Sequence, residues 1–132
     1  MSTDNYVVQI EKYSERHFIA GFKKKYKSAW EITWKALEEE FKRIETLIGV
    51  NNYVETIIDC EKCLICKTEF RVAGTQESRH GSGNRCIIAV HKKEKIVKVL
   101  MVYGKTDVKG SRETDWWKGV IKDNYPDYFD CF

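Results

Sequence analysis

Three apolar runs between residues 64 and 103 constrain this chain more than any other feature. Residues 64–72, 85–91 and 96–103 each read as a β-strand, rich in Val and Ile and bounded by polar or glycine-bearing segments. The last two are separated only by Lys92-Lys93-Glu94-Lys95, a connection short enough to make them antiparallel neighbours. The first pair is joined by a longer polar loop over 73–84 with three glycines. Nearly every residue of 96–103 is apolar apart from Lys98, which predicts a central strand covered on both faces. A sheet of this kind needs helices to cover it, and the remainder of the chain supplies them.

Residues 6–10, Tyr-Val-Val-Gln-Ile, read as a first short strand. Ser14 is the candidate cap of a helix over 15–26, in which Phe18, Ile19, Phe22 and Tyr26 recur at helical spacing. Ser28-Ala-Trp-Glu31 has the form of a capping box, with serine and glutamate each satisfying a backbone N–H at a helix start. Trp30, Trp34, Leu37, Phe41, Ile44 and Ile48 then form one apolar stripe, and Gly49 is a natural stop. Two helices joined so closely should pack as a hairpin. Residues 51–61 read as a loop with a short strand or turn at 54–58. A closing helix over 112–123 would turn Trp117, Val120 and Ile121 inward, and Pro126 ends it. The tail over 125–132 either docks across the sheet or frays. The expectation is a small α+β fold: an N-terminal strand, a two-helix hairpin on a mostly antiparallel sheet, and a C-terminal helix.

A chain of 132 residues fits one domain, 1–132, with a core large enough to need no metal or disulfide. No apolar run approaches the ~20 residues of a membrane span, and the N-terminus lacks a basic-then-apolar signal pattern, so a cytoplasmic protein without membrane contact is expected. The five cysteines are an odd number that fits a disulfide framework poorly, which makes reduced thiols the default. Net charge is only +3, but the charges are segregated. Acidic residues gather at Glu38-Glu39-Glu40. Basic ones gather at Lys23-Lys24-Lys25, at Arg71, Arg79, Arg85, Lys92 and Lys93, and at Lys105, Lys109 and Arg112.

The basic loop Arg79-His80-Gly81-Ser82-Gly83-Asn84-Arg85 and the closure Tyr103-Gly104-Lys105 give this pattern its chemistry. Gripping or cutting a phosphodiester needs cations for the charge on the phosphate and groups that can act as base and acid. An imidazole titrates near neutral pH, so His80 can serve as acid or base, or it is a solvated loop histidine. Arg85, opening a strand, offers a planar fork to phosphate, or else pairs with Glu69 or Glu77. Alternation would place Arg85, Ile87, Ala89 and His91 on one sheet face and Cys86, Ile88 and Val90 on the other. Arg71 converges with Arg85 or is an edge charge. Tyr103 stacks on a base, aids proton transfer, or closes the core. Lys105 contacts phosphate or is solvated. Lys67, Arg79, Lys92, Lys109 and Arg112 are further candidate RNA contacts, and Lys23 to Lys27 either touch a nucleic acid or form a solvated helix face. Cys60-x-x-Cys63-x-x-Cys66 admits a zinc reading, with His80 or Cys86 as a fourth ligand, or structural thiols.

The element order, with Gly-Asn-Arg85 opening one strand and Val-Tyr-Gly-Lys105 closing the next, resembles the RelE-like toxins of bacterial and archaeal toxin–antitoxin pairs. The resemblance implies a ribosome-dependent mRNA endonuclease that inhibits translation and arrests growth, cutting by 2′-OH attack without metal or cofactor. It implies catalytic roles for Arg85, Arg71 and Lys105, and an antitoxin partner that assembles with the toxin into a hetero-oligomer. The family's usual aromatic before the arginine is here Asn84, Thr106 stands where several members carry a second arginine, and Trp116 and Trp117 fill the region where some carry a tyrosine. Two alternatives stay open: a gyrase-directed toxin of the same fold, and a non-catalytic binding module, zinc-stabilised or not.

Overall fold

The structure, a computed structural model, describes residues 5–50 and 53–132. Asn51 and Asn52, at the start of the segment read as a loop, lie outside the described residues, as do the first four residues of the N-terminus. Five strands, β1 (Val7–Ile10), β2 (Val54–Asp59), β3 (Leu64–Phe70), β4 (Asn84–His91) and β5 (Ile96–Tyr103), form one sheet in the order β1-β5-β4-β3-β2. β1 runs parallel to β5 and every other pairing is antiparallel. β5 is internal and covered on both faces, as its apolar run requires. The middle of the sheet is nevertheless β4, in which every residue but His91 is buried. The segment 54–58, ambiguous in sequence, is the strand β2.

Alternation along β4 divides the core. Cys86, Ile88 and Val90 face one hydrophobic cluster, and Ile87 and Ala89 face another. A register shift opposite Ile87 and Ile88 leaves Leu100 unmatched on β5, so Leu100 and Met101 both join the second cluster. This bulge returns Tyr103 to the face that carries Arg85.

The first cluster is covered by the helical hairpin. Its first helix runs over residues 12–26 as Lys12–Ser14, a π-helical turn Glu15–Ile19 and Ala20–Tyr26. Ser14 does not cap it. The helix begins at Lys12, two residues after β1 ends, with extended Glu11 as the half-in residue, and Ser14 is buried inside with its hydroxyl unpaired. The second helix is Ser28–Lys42. The expected capping box does not form, because Lys27 alone, at φ 52°, makes the turn between the helices and occupies the cap position. Ser28 is already helical there, one residue too late to cap. Trp30, Leu37, Phe41 and Ile44 of the apolar stripe are buried against the sheet, with Trp34 and Ile48 packed at its border. Gly49, at φ 80°, follows the last short turn, Ile44–Leu47.

The opposite face is covered by the C-terminal helix Glu113–Asn124, with Trp117 and Ile121 fully buried and Val120 half-buried. The tail does not fray. It continues as a 3-10 turn, Pro126–Cys131, and docks on the sheet. Tyr125 Oη donates to the Leu100 carbonyl at 2.6 Å, and Tyr128 Oη meets His91 Nε2 at 2.8 Å. Lys62 pairs with Asp130 at 2.9 Å and donates to the Asp127 carbonyl. Cys131 is joined to Cys60 by a disulfide, which corrects the expectation of five reduced thiols. Sequence parity could not reveal this pair because its two halves lie 71 residues apart and meet only when the tail crosses the sheet. Cys63, Cys66 and Cys86 are free and buried.

Candidate functional site

Strand register builds the site. Glu69 on β3 pairs with Arg85 on β4, and Arg85 pairs with Tyr103 on β5, so the three form one row across the sheet. The row faces the side of the C-terminal helix, whose first residue, Glu113, reaches down to it. Arg85 is only 7% exposed. Its Nη2 lies 3.1 Å from Glu69 Oε2, and its Nε lies 3.7 Å from Glu113 Oε2. It also donates to the carbonyls of Asn84 and His80, at 3.1 and 3.3 Å. Tyr103 Oη donates to Glu113 Oε2 at 2.7 Å. Burial, reinforced by that carboxylate, pushes the Tyr103 phenol well above its usual range, which keeps it protonated.

His80 sits at the outer edge of this cluster. Its Nδ1 lies 2.6 Å from Glu69 Oε2, and its ring is otherwise solvent-exposed. Glu69 therefore orients the imidazole and neutralises Arg85 at once. Beside it opens a depression of about 650 Å³, also lined by Tyr53, Glu55, Lys67 and Arg79. Lys67 shares the Arg85 face by alternation with Glu69. Arg79 is engaged: it reaches both oxygens of Glu40 at 3.2 and 3.4 Å, Thr68 Oγ1 at 3.3 Å, and lies over the Tyr53 ring at 4.4 Å.

The other candidates lie elsewhere. Arg71 falls one residue beyond β3, exposed, donating to the Glu77 carbonyl at 3.3 Å on the second-helix side, so it does not converge with Arg85. Lys105 lies behind the strand end, where its stem packs on Gly83. A Cβ at Gly83 would fall 2.3 Å from Lys105 Cγ, and Gly83 also has φ +75°. Lys92 follows β4 at its far end, about 23 Å from Arg85 at strand rise. Arg112 is exposed with Asp115 at 3.6 Å, and Lys109 is exposed on the loop before the last helix. Lys23 pairs with Glu15 at 3.2 Å.

The three thiols of the Cys60–Cys66 motif do not meet. Cys60 is in the disulfide, while Cys63 and Cys66 belong to opposite core clusters. Among the described residues no group of three or more His, Cys, Asp or Glu is placed to hold a metal ion.

Sequence reasoning missed Glu69 and Glu113 as site members. Glu69 was legible as a partner of Arg85 but not as the residue that also holds His80. Glu113 carries no local signal, since only the packing of Trp117 and Ile121 aims the start of that helix at the row.

A layered α+β structure with an N-terminal helical hairpin on one face, a C-terminal helix on the other, and a parallel β1 closing an antiparallel meander has the RelE-like fold. A chain of the archaeal RelE–RelB complex from Pyrococcus horikoshii OT3 superimposes on it with a TM-score of 0.51 and 15% identity, covering 76% of this chain and 96% of that one. At that identity the likeness is one of fold. By sequence, no family model and no curated protein matches.

Proposed function

We propose that residues 1–132 act as one toxin domain of a toxin–antitoxin pair, a ribosome-dependent mRNA endonuclease that inhibits translation. The observation that carries this reading is the contiguity of His80, Glu69 and Arg85, the first two of which line a depression together with Lys67. Glu69 holds His80 Nδ1, leaving Nε2 directed outward to take the proton of a 2′-OH or to return one to the leaving 5′-oxygen. Arg85 supplies the planar cation for the developing phosphorane, and Tyr103 a protonated hydroxyl beside it. In this arrangement Glu69 and Glu113 occupy Arg85, so a phosphate has to displace the Glu113 carboxylate to reach the guanidinium. The partners of this reading are mRNA, the ribosome and a cognate antitoxin, bound as a hetero-oligomer. Among the described residues no helix is long and apolar enough to cross a membrane. Action on ribosomes implies the cytoplasm, where a reducing pool opens disulfides it can reach; Cys60 and Cys131 are only half-buried, so the reduced form is the one that meets the target.

A gyrase-directed role is favoured by one feature, the neutralisation of Arg85 by two carboxylates. Induced expression separates the readings. Growth arrest with discrete cuts within codons on primer extension supports the nuclease, and DNA damage without cuts supports the alternative. His80→Ala is the clean probe, because an exposed side chain adds little to stability; cleavage should fall by about 100-fold or more. Glu113→Gln keeps an acceptor for Tyr103 but removes the competing charge, and should raise cleavage. Unaltered cutting by His80→Ala would remove the imidazole from the mechanism.

A further inference from the structure

Behind the strand end, away from the Arg85 row, lies a cavity of about 420 Å³ between the first helix and the loops around residues 77–84 and 104–107. From its position and chemistry we infer that it binds an adenine nucleotide. This goes beyond the cleavage reading and does not depend on it. Asn84 is the first observation. It is 9% exposed, its side-chain amide has no hydrogen-bond partner among the described residues, and it lines the cavity. The amide is reached by solvent from the cavity rather than sealed in the core, so its donor and acceptor are open to pair with what enters there. Its adjacent donor and acceptor match the N6 and N7 edge of adenine.

The wall opposite is aromatic. Phe22 and Tyr26 present rings 25° from parallel, with centroids 6.0 Å apart, and Phe22 is fixed from behind by Trp30 and Phe70. Lys25 Nζ lies 5.2 Å from the Tyr26 ring centroid, so a base that stacks on this wall displaces the lysine head towards the phosphate. Gly21 lines the cavity beside them. A Cβ there would meet nothing within 4 Å, so packing does not call for glycine, although a glycine inside a helix is unfavourable. Its effect is to keep the wall low. The π-helical turn Glu15–Ile19 contributes His17 and Phe18 to the same lining.

Lys25 and Lys105 stand at the rim for the phosphate. Glu77 and Asp107 line it too, although Asp107 Oδ2 is engaged by the Gly104 N–H at 2.9 Å. This balance favours one phosphate over a triphosphate. The ligand is thus a nucleoside monophosphate, free or as one unit of a strand, and the volume lies within the usual range of small-ligand sites.

Titration calorimetry, with ¹⁵N-edited spectra of the Asn84 side-chain amide, tests this. AMP should bind with a dissociation constant below 1 mM, shift the Asn84 amide signals, and bind at least about threefold tighter than UMP. Gly21→Leu should abolish binding while thermal stability is kept or raised, and Asn84→Ala should weaken it by about tenfold. Tighter binding of a short oligoadenylate assigns the site to a strand, and equal binding assigns it to a free nucleotide. Absence of AMP binding at millimolar concentration, equal competition by inorganic phosphate, or full binding by folded Gly21→Leu would each overturn the inference.

Discussion

Opening the Cys60–Cys131 disulfide should lower stability by an amount that chain length sets. The bond closes a separation of 71 residues. Loop-closure entropy for such a length is about 15 cal/mol/K, or about 4 kcal/mol at 25 °C, felt by the unfolded chain. The folded tail keeps its other anchors when the bond opens: Tyr125 on Leu100, Tyr128 on His91, and Lys62 on Asp130. The native fold should therefore survive reduction, with the loss appearing only in the melting transition. With an unfolding entropy of about 2.1 cal/mol/K per residue, a chain of 132 residues should lose about 15 °C in Tm. The assay is thermal denaturation followed by circular dichroism, with and without a phosphine reductant, on wild type and on the double variant Cys60→Ser, Cys131→Ser. Wild type should shift and the double variant should not. Thiol counting under native conditions adds a second readout. Burial pushes the Cys63 and Cys66 thiols up to about 11, and Cys86 further still, so these three should alkylate slowly while Cys60 and Cys131 react only after reduction. Equal melting of the oxidised and reduced protein, or peptide mapping that pairs Cys60 with another cysteine, would refute the reasoning.

Two further outcomes are expected. Burial, with Lys98 nearby, holds the His91 imidazole below its usual value, so as pH falls past about 6.5 the unfolded chain takes up the proton first and the native state loses stability. His91→Gln should flatten the fall in Tm between pH 7.5 and 5.0; parallel curves would exclude His91 as a contributor. Trp117 is fully buried with its Nε1 unpaired, so Trp117→Ala should cost about 4 kcal/mol and lower Tm by about 10–15 °C, while Trp117→Phe discards an unsatisfied donor and should melt near wild type. Equal losses for the two variants in thermal melts would show that ring size, not the stranded N–H, governs the site.

Much of the fold was legible because it rests on local periodicity. The stripe from Trp30 to Ile44 and the alternation of Cys86, Ile88 and Val90 against Ile87 and Ala89 are properties of short windows, and each element buries the face its pattern dictates. Helix starts were less legible. Ser14 and Ser28 are good capping residues by type, yet the cap depends on where the chain leaves the preceding element, and Glu11 and Lys27 hold those positions.

The sequence by itself determined that strands 85–91 and 96–103 pair, that Arg85 begins one of them, and that a basic loop carries His80 close by. Tertiary structure decided which cations act together. Arg71 and Lys105 are near Arg85 in the chain or in motif, but a strand end separates two faces, and a side chain one residue further on points into a different environment. Glu113 and Cys131 come from segments whose placement is set by burial of Trp117, Ile121 and Tyr128, contacts no local pattern encodes. For that reason the arginine could be found from sequence, whereas the two carboxylates that hold it, and the disulfide that ties the tail across the same face, could not.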